Sequence, residues 1–482
     1  MRLPDDPALR LRVAALRTAL ARPRALREAG RYDEAARALD PVVAEARALG
    51  YRPLLAEALL VRGELQMNLT QGEPAREALD AAVIAAEATG HDVVSARAQT
   101  VLARVHGVVL GDKPEALRTI DHARAAAERA GNTAELLAQV EDALGEILSV
   151  FSGSAAAAAA RERALALWER AAGPDSLPYA ATLDGYATAI WDLGRLEEAR
   201  DAYQRALAIR EQALGSGHPV VATTLMNLAA VKTYLGDYEA ASAMQRRVLA
   251  MRVAIFGADH PNVAIIKNNM GDVLQRMGRA DEALAVFRDA LATMRRSYAD
   301  DHPFILAIRS NVASALLDLG RHPEAIAELR DLVGRYDKTI GPRAAETANA
   351  MARLASALVS NGDLAEGRAL YRQAEAIGFS GADPGQLELG FGAALRRRGQ
   401  YREALPHLEV GIAAMARAGV KNAHRLALLE GEVAECHLGL GDAAPALPLV
   451  EAALARLDTV EGVAIDQARL RRLRARVVAA LR

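Results

Sequence analysis

The sequence has one cysteine, Cys436, and few aromatic residues, which are 4% of its 482 residues. A single cysteine excludes an intrachain disulfide and a cysteine-rich metal site, and the simplest role for it is that of a small buried apolar residue. Its neighbour His437 does not make a reactive pair with it, since adjacent residues point to different sides of a helix. Because hydrophobic residues nonetheless make up 51% of the chain, the interior must consist mainly of Ala, Leu and Val, which favours packed helices over strands.

An excess of charge of either sign is also missing. The 59 basic and 61 acidic residues give a net charge of -2, so there is no overall basic excess for a nucleic-acid backbone, and nucleic acid is not an expected partner. No run approaches the roughly 18 apolar residues of a membrane span, and the first residues, MRLPDDPALRLRV, do not resemble a signal peptide. These features predict a soluble, cytoplasmic protein without a membrane span.

A six-residue tag recurs along the chain. It reads GRYDEA at Gly30 and recurs in recognisable form at Gly111, Gly194, Gly236, Gly278, Gly320 and Gly399, with looser copies at Gly72, Gly153, Gly362 and Gly441. Most of the intervals between successive copies are 42 residues or within one of it. Eleven copies in register indicate a repeat protein in which each unit buries its apolar face only against its neighbours.

Each repeat unit has the pattern of two helices joined by a turn. Apolar residues stand 5, 9 and 12 positions after the glycine, as at Ala283, Phe287 and Ala290 after Gly278. These offsets advance by 4 and 3 and therefore define one face of an α-helix. A second helical pattern precedes each glycine, which is expected to end that helix in the left-handed conformation.

These units resemble tetratricopeptide repeats, and their 42-residue period resembles the kinesin light chain subtype of that family. The segments RALAIREQALGSGHP (Arg205 to Pro219) and HPVVATTLMNLA (His218 to Ala229) carry the likeness to the subtype. The resemblance implies an all-α fold, a right-handed α-solenoid (superhelix) of about eleven helix-turn-helix tetratricopeptide-like repeats with a C-terminal capping helix. It divides the chain into general repeats at 1–164, kinesin-light-chain-type repeats at 165–342, general repeats at 343–460 and the capping helix at 461–482.

The N-terminal part carries a second resemblance. The stretch that begins PDDPALRLRVAALRTAL, followed by ARALGYRPLLAEALL, looks like the repeat region C-terminal to the kinase domain in large bacterial serine/threonine protein kinases. The resemblance implies a regulatory or scaffolding region of such a kinase, whose catalytic domain is not in this chain. The sequence has no glycine-rich kinase loop, HRD, DFG or GxxxxGK[ST] motif, so nucleotide hydrolysis by those routes is not expected.

Three histidines raise the question of a catalytic or metal site. His218, His260 and His302 each precede a proline and lie one repeat apart, so they occupy the same corner of successive units. Packed helices are about 8–10 Å apart, too far for neighbouring imidazoles to share a metal ion at about 2 Å. The residue before proline is pushed out of the helical region, and proline favours the first helical position, so each histidine is predicted to cap a helix. No catalytic residue, metal or cofactor is predicted.

The expected function is the binding of a protein or peptide, without catalysis. In tetratricopeptide superhelices the first helix of each unit lines a concave groove, and the resemblance implies that polar residues on these helices form the binding surface. Amide side chains both donate and accept hydrogen bonds, which suits the backbone of an extended peptide. The alternative is that the asparagines form a structural ladder between repeats. The predicted groove residues are Asn227, Tyr234, Asn268, Asn269, Asp272, Gln275, Arg276, Ser310, Asn311, Ser314 and Asp318.

Two arginine clusters have simpler expected roles. The run Arg396–Arg398 falls in the last turn of a first helix, where cations interact favourably with the helix dipole. The final segment QARLRRLRARVVAALR places Leu470, Leu473, Val477 and Leu481 on one face, which predicts a solvated capping helix. The Lys and Asn pattern of a carboxylate clamp is not evident, so a C-terminal carboxylate ligand is not predicted. The oligomeric state is left open.

Overall fold

The computed structural model describes residues 6–379, 384–417, 423–458 and 464–482, and the regular structure in these residues is helical. The chain divides into two compact units. The N-terminal unit comprises Met1–Leu193 and Glu197–Thr224, and the C-terminal unit comprises Gly194–Leu196 and Leu225–Arg482. The prediction of an all-α fold is confirmed.

The helices up to the unit boundary form five pairs, each made of a first and a second helix. In the first pair the first helix is interrupted at Leu20, ahead of Pro23, and consists of two shorter helices, α1 (Pro7–Ala19) and α2 (Ala21–Glu28). The bounds are α1 Pro7–Ala19, α2 Ala21–Glu28, α3 Tyr32–Leu49, α4 Arg52–Asn68, α5 Gly72–Glu87, α6 Asp92–Arg104 continued by a π-helical turn Val105–Val109, α7 Lys113–Arg129, α8 Ala134–Phe151, α9 Ser154–Ala172, α10 Leu177–Asp192 and α11 Leu196–Leu214.

Six more pairs and a final helix follow. The unit boundary falls within α12, whose residues from Leu225 onward belong to the C-terminal unit. The bounds are α12 Pro219–Leu235, α13 Tyr238–Phe256, α14 Pro261–Arg276, α15 Ala280–Met294, α16 Pro303–Asp318, α17 His322–Ile340, α18 Ala345–Asn361, α19 Leu364–Ile377, α20 Pro384–Arg397, α21 Tyr401–Arg417, α22 Ala423–Gly439, α23 Ala443–Leu457 and α24 Ala464–Ala480. The helices described therefore form the predicted eleven helix-turn-helix pairs and the additional C-terminal helix.

The turns between paired helices follow the glycine pattern with two exceptions. Most have a glycine with positive φ, such as Gly278 at 75°. In the second pair the left-handed residue is Thr70, with φ 56°, whereas Gly72 is the first residue of α5. A Cβ at Gly72 would lie 2.6 Å from Leu110 Cδ2, so this glycine permits close packing and does not form the turn. Gly153 has φ 87° and ψ 163°, which is outside the left-handed helical region, and precedes α9 as its N-cap.

The residues predicted on the inner face are buried in most second helices, but Ile84 of α5 is 69% exposed and Glu162 of α9 is exposed. In α15, for example, Ala283, Phe287 and Ala290 are each 0% exposed. Small residues at the first and third of these positions allow the paired helices to approach closely. The hydrophobic interior is therefore a series of clusters between neighbouring helices, as expected for repeats that bury their apolar faces by stacking.

The C-terminal helix α24 covers the last pair. Leu470, Leu473 and Val477 are buried in one cluster with Val450 of α23, which confirms the predicted contact face. Leu481 was predicted on the same face, but it lies beyond the helix end and is 47% exposed. The predicted boundary between 460 and 461 lies outside the described residues, and the division by repeat type at 164 and 342 stays a prediction.

Candidate binding face on the first helices

The histidine–proline corners are helix caps. In α14 the backbone N–H of Asn262 donates to Nδ1 of His260 at 3.1 Å, and in α16 that of Phe304 donates to Nδ1 of His302 at 3.3 Å. The corresponding bond to His218 is also 3.3 Å long. The proline after each histidine is the first helical residue, where its missing N–H leaves no hydrogen bond unmade. The prediction that these histidines begin helices is confirmed.

No metal site accompanies these histidines in the part of the chain that the structure describes: no group of three or more His, Cys, Asp or Glu side chains could hold an ion there. No helix in the same part is long and apolar enough to cross a membrane. Cys436 is buried at 0% exposure, and burial raises the pKa of its thiol to about 12. Such a thiol is a packing residue and a poor nucleophile at neutral pH.

Polar side chains form a continuous set on the first helices of the C-terminal unit. The set, called here the first-helix face, consists of the residues nine, six and two positions before the turn glycine in α12, α14, α16 and α18, together with Arg397 of α20. Spacings of 3 and 4 put the residues of one helix on one side of it. The row nine before contains Asn227, Asn269, Asn311 and Arg353; the row six before contains Ala230, Asp272, Ser314 and Ser356; the row two before contains Tyr234, Arg276, Asp318, Ser360 and Arg397. The predicted Asn268, Gln275 and Ser310 lie beside these rows.

The asparagines divide into two groups. The Nδ2 of Asn311 donates to Oδ1 of Asn268 at 2.9 Å and so links α16 to α14. Asn227 and Asn269 are half-buried and make no side-chain hydrogen bond to another described residue. The structural-ladder interpretation therefore describes Asn268 and Asn311, whereas the amides of Asn227 and Asn269 have no side-chain hydrogen bond within the described segments.

Arg276 joins two of the predicted residues. Its Nε donates to Oδ2 of Asp272 at 3.0 Å, and its guanidinium carbon lies 5.1 Å from the centre of the Tyr234 ring. Burial opposes the charge on Arg276, but the nearby Asp272 and Tyr234 outweigh it, so the pKa of the guanidinium is raised. An arginine held over an aromatic ring in this way keeps a defined position and a flat polar surface.

Asp318 lies at the end of α16 and accepts a hydrogen bond from Nε2 of Gln275 at 2.6 Å. The surrounding helices remove water from its neighbourhood and raise the pKa of the carboxyl, although the residue itself is solvent-exposed. The hydrogen bond from Gln275 and the charges of Arg397, Arg425 and Arg353 partly offset this effect. Asp318 of α16 therefore contacts Gln275 of α14 through a hydrogen bond. It interacts electrostatically with Arg353, Arg397 and Arg425 of later helices.

Sequence reasoning missed four polar residues of this face: Arg353, Ser356, Ser360 and Arg397. The Nη1 of Arg353 donates to Oγ of Ser314 at 3.2 Å, and Nη2 of Arg397 donates to Oγ of Ser360 at 3.3 Å. Their positions in the repeat were the available signal, since Arg353 follows the three asparagines in its row.

Arg396 and Arg397 lie in the last turn of α20, as predicted for the run Arg396–Arg398, but the structure also gives these arginines partners in other repeats. Arg396 forms ion pairs with Glu432 and Glu435 of α22. Arg398 donates to the backbone carbonyls of Val359 and Ser360 at the end of α18. The long arginine side chains reach the neighbouring repeats, where they pair with carboxylates and donate to carbonyls in the last turn of another helix.

The fold and this polar face define an α-solenoid repeat protein built from helix-turn-helix units. The sequence profile described as "Tetratricopeptide repeat" matches residues 137–212, 179–254, 220–296, 262–338 and 304–378, which overlap to cover half of the chain. The chain belongs to the tetratricopeptide repeat family. This confirms the family predicted from the sequence. A comparison with curated proteins finds no match.

Solved structures with a similar fold include the apo form of RapI, with a TM-score of 0.54 and 11% identity over 84% of this chain and 98% of that one. The apo form of the quorum sensor NprR from B. thuringiensis has a TM-score of 0.53 and 13% identity over 76% of this chain and 99% of that one. The TPR-like repeats of a kinesin light chain from Podosopora anserina cover 41% of this chain and 93% of that one at 23% identity, with a TM-score of 0.36. At these identities the likeness concerns the fold.

Proposed function

We propose that this protein is a non-catalytic interaction scaffold that binds an extended peptide segment of a protein partner on the first-helix face of the C-terminal unit. One observation carries the proposal: Asn227 and Asn269 stand at the same position of successive repeats, and their amides make no hydrogen bond to another residue that the structure describes. A half-buried amide without an internal partner has both donors and acceptors available for a ligand backbone. If Asn227 and Asn269 served only the stability of the fold, their side chains would be expected to hydrogen-bond to another side chain, as that of Asn311 does to that of Asn268.

The repeat spacing suits an extended chain. Helices in contact are about 8–10 Å apart, and a strand rises about 3.3 Å per residue. Successive amides in the row therefore match every third residue of an extended peptide. The aromatic and cationic pair Tyr234 and Arg276 adjoins this row and adds a surface for an apolar or planar group.

The test is a double variant, Asn227→Ala with Asn269→Ala. Purified wild-type and variant chains would be used to select binders from a displayed library of random 12-residue peptides, and to capture partners identified by mass spectrometry. We expect the variant to lose the peptides that the wild type selects, while its helical circular dichroism is unchanged, because neither amide supports another residue.

The matched control is Gln204→Ala with Gln373→Ala, which removes two exposed amides from second helices, α11 and α19. This control should retain the wild-type ligands. Equal selection by the wild type and the asparagine variant would overturn the assignment of the face. The predicted link to a bacterial serine/threonine kinase remains a prediction, which co-purification with such a kinase would support.

A further inference from the structure

Arg353 of α18 and Asp318 of α16 carry opposite charges at one place on the first-helix face. The Nη1 of Arg353 donates to Oγ of Ser314 at 3.2 Å, and Ser314 precedes Asp318 by one helical turn, so these two residues lie on the same side of α16. The Arg353 guanidinium therefore lies beside the helical turn that ends at Asp318. Burial raises the pKa of Asp318 and lowers that of Arg353, and the charge of each residue opposes this effect on the other.

The two side chains are near each other but are not in contact. Among the residues that the structure describes, neither forms an ion pair. Their hydrogen bonds go to neutral groups, from Arg353 to the hydroxyl of Ser314 and to Asp318 from Nε2 of Gln275 at 2.6 Å. Arg353 is half-buried and Asp318 is exposed, so a ligand on the face can reach both charged groups.

The surrounding charges favour a ligand group without net charge. Asp272 and Arg276 of α14 also act on Arg353, but they pair with each other at 3.0 Å. An acidic side chain of a ligand would be attracted by Arg353 and repelled by Asp318, and a basic side chain would experience the reverse. An apolar side chain would remove water from both charges and replace it with no partner, which is unfavourable.

A primary carboxamide complements a guanidinium and a carboxylate that lie near each other. The guanidinium only donates hydrogen bonds, and the ionised carboxylate only accepts them. A carboxamide accepts at its oxygen and donates at its nitrogen, so it can bond to both groups at once. A hydroxyl also accepts and donates, but from a single atom, so it spans a smaller separation.

We propose that Arg353 and Asp318 bind the carboxamide side chain of an asparagine or glutamine in the bound segment. Arg353 donates to the carboxamide oxygen, and Asp318 accepts from the carboxamide nitrogen. Ser314 and Gln275 hold the two charged side chains in place through their hydrogen bonds. The inference rests on the function proposed above, because it assigns the specificity for one residue of the same ligand.

The experiment uses four synthetic 13-residue peptide libraries, degenerate except at the central position. That position holds an equal mixture of asparagine and glutamine, an equal mixture of aspartate and glutamate, lysine, or methionine. The full chain is incubated with each library, and captured peptides are identified by mass spectrometry. Each sequence recovered from the amide library is then synthesised with the other residues at its centre, and dissociation constants are measured by fluorescence anisotropy. We expect the acid, lysine and methionine counterparts to bind at least about tenfold more weakly, as the loss of charge-assisted hydrogen bonds predicts.

Two single variants should change the specificity in opposite directions. Asp318→Asn removes the carboxylate that repels an acid, so acid counterparts should gain affinity several-fold and the preference for amide over acid should disappear. Arg353→Gln removes the guanidinium that repels a cation, so lysine counterparts should gain affinity and the preference for amide over lysine should disappear. A change that only damaged the fold would weaken all four kinds of peptide alike.

The control variants are Arg372→Gln on α19 and Glu409→Gln on α21. Each removes one exposed charge from a second helix, and both should leave the preferences unchanged. The variant Asn227→Ala with Asn269→Ala should weaken all four kinds of peptide alike, because the proposed backbone contacts do not depend on the central residue.

The outcomes separate this proposal from the broader one. A preference for the amide that is absent, or that survives both the Asp318 and the Arg353 change, overturns the carboxamide site, while loss of binding in the asparagine variant still supports the peptide face. Tighter binding of acid or lysine counterparts by the wild type also overturns the carboxamide site. Failure of the wild type to capture any library overturns both proposals.

Discussion

Gly271 of α14 lies directly against the ring of Phe287 of α15. A Cβ at Gly271 would be 2.4 Å from Phe287 Cε1, and the ring is 0% exposed. A buried aromatic ring cannot move aside as the end of a flexible side chain can, so the two helices approach this closely only because residue 271 lacks a side chain. The same relation occurs between Gly63 and Leu79 in the N-terminal unit.

Gly271→Ala is therefore expected to destabilise the protein, although alanine is the better helix former. Forcing a methyl group into a packed contact costs about 1–3 kcal/mol, more than the gain of up to about 1 kcal/mol from helix propensity. The matched control is Gly334→Ala in α17, where a Cβ would meet nothing within 4 Å, and which should be neutral or stabilising. Urea unfolding followed by circular dichroism distinguishes the two, and equal effects would contradict the packing argument.

Cys436 should report on the opening of the C-terminal unit. Burial raises the pKa of its thiol to about 12, so that almost no thiolate exists in the folded protein at pH 8. We expect a colourimetric disulfide reagent to react with one thiol per chain quickly in denaturant and very slowly without it. Rapid reaction of the native protein would show that residues around Cys436 open far more readily than their burial implies.

Removing two histidine caps should weaken the helices that they begin. In the variant His260→Ala with His302→Ala, the backbone N–H groups of Asn262 and Phe304 lose their side-chain acceptors. Loss of a cap costs about 0.5–2 kcal/mol, so a lower urea midpoint is expected. His122→Ala, at an exposed position on α7, serves as the control. A variant as stable as the control would mean that the caps do not contribute.

His322 should make the protein sensitive to mild acid. Burial, Arg397 and Arg398 lower the pKa of this imidazole below its usual value near 6.5. Below that pH the unfolded chain binds a proton that the folded chain resists, so the free energy of unfolding falls as the pH falls. We expect the wild type to lose more stability than His322→Gln between pH 7.5 and 5.5 in urea titrations. Parallel losses in both proteins would exclude a contribution from His322.

The helix-turn-helix units could be predicted because their signals are local and repeated. Proline after His218, His260 and His302 and glycine at most turns act on the backbone of neighbouring residues. The eleven copies of the glycine tag therefore gave consistent evidence. The turn at Thr70 could not be predicted, since a threonine adopts φ 56° there while the nearby Gly72 satisfies a packing requirement that involves Leu110. A glycine in the sequence does not reveal which of the two purposes it serves.

The first-helix face was only partly predictable, because its side-chain contacts join residues that are far apart in the sequence. The row positions follow from the repeat, but the partners of each side chain lie in other repeats: Asn311 and Asn268 are 43 residues apart, and Arg353 and Ser314 are 39 apart. Whether an amide or guanidinium finds a hydrogen-bonding partner in a neighbouring repeat depends on how the first helices stack and which side-chain rotamers that stacking allows. For that reason the sequence predicted the asparagine row but not the arginines beyond it.

The amino-acid sequence alone determined the period of this protein, the order of its helices and the residues that begin them, because caps, turns and helical periodicity act between residues close together in the chain. Only the tertiary structure decided which side chains of the first-helix face remain available. Among the residues that the structure describes, the amides of Asn227 and Asn269 have no hydrogen-bonding partner, whereas those of Asn268 and Asn311 bond to each other. Packing between repeats supplies partners to some positions of a row and not to others.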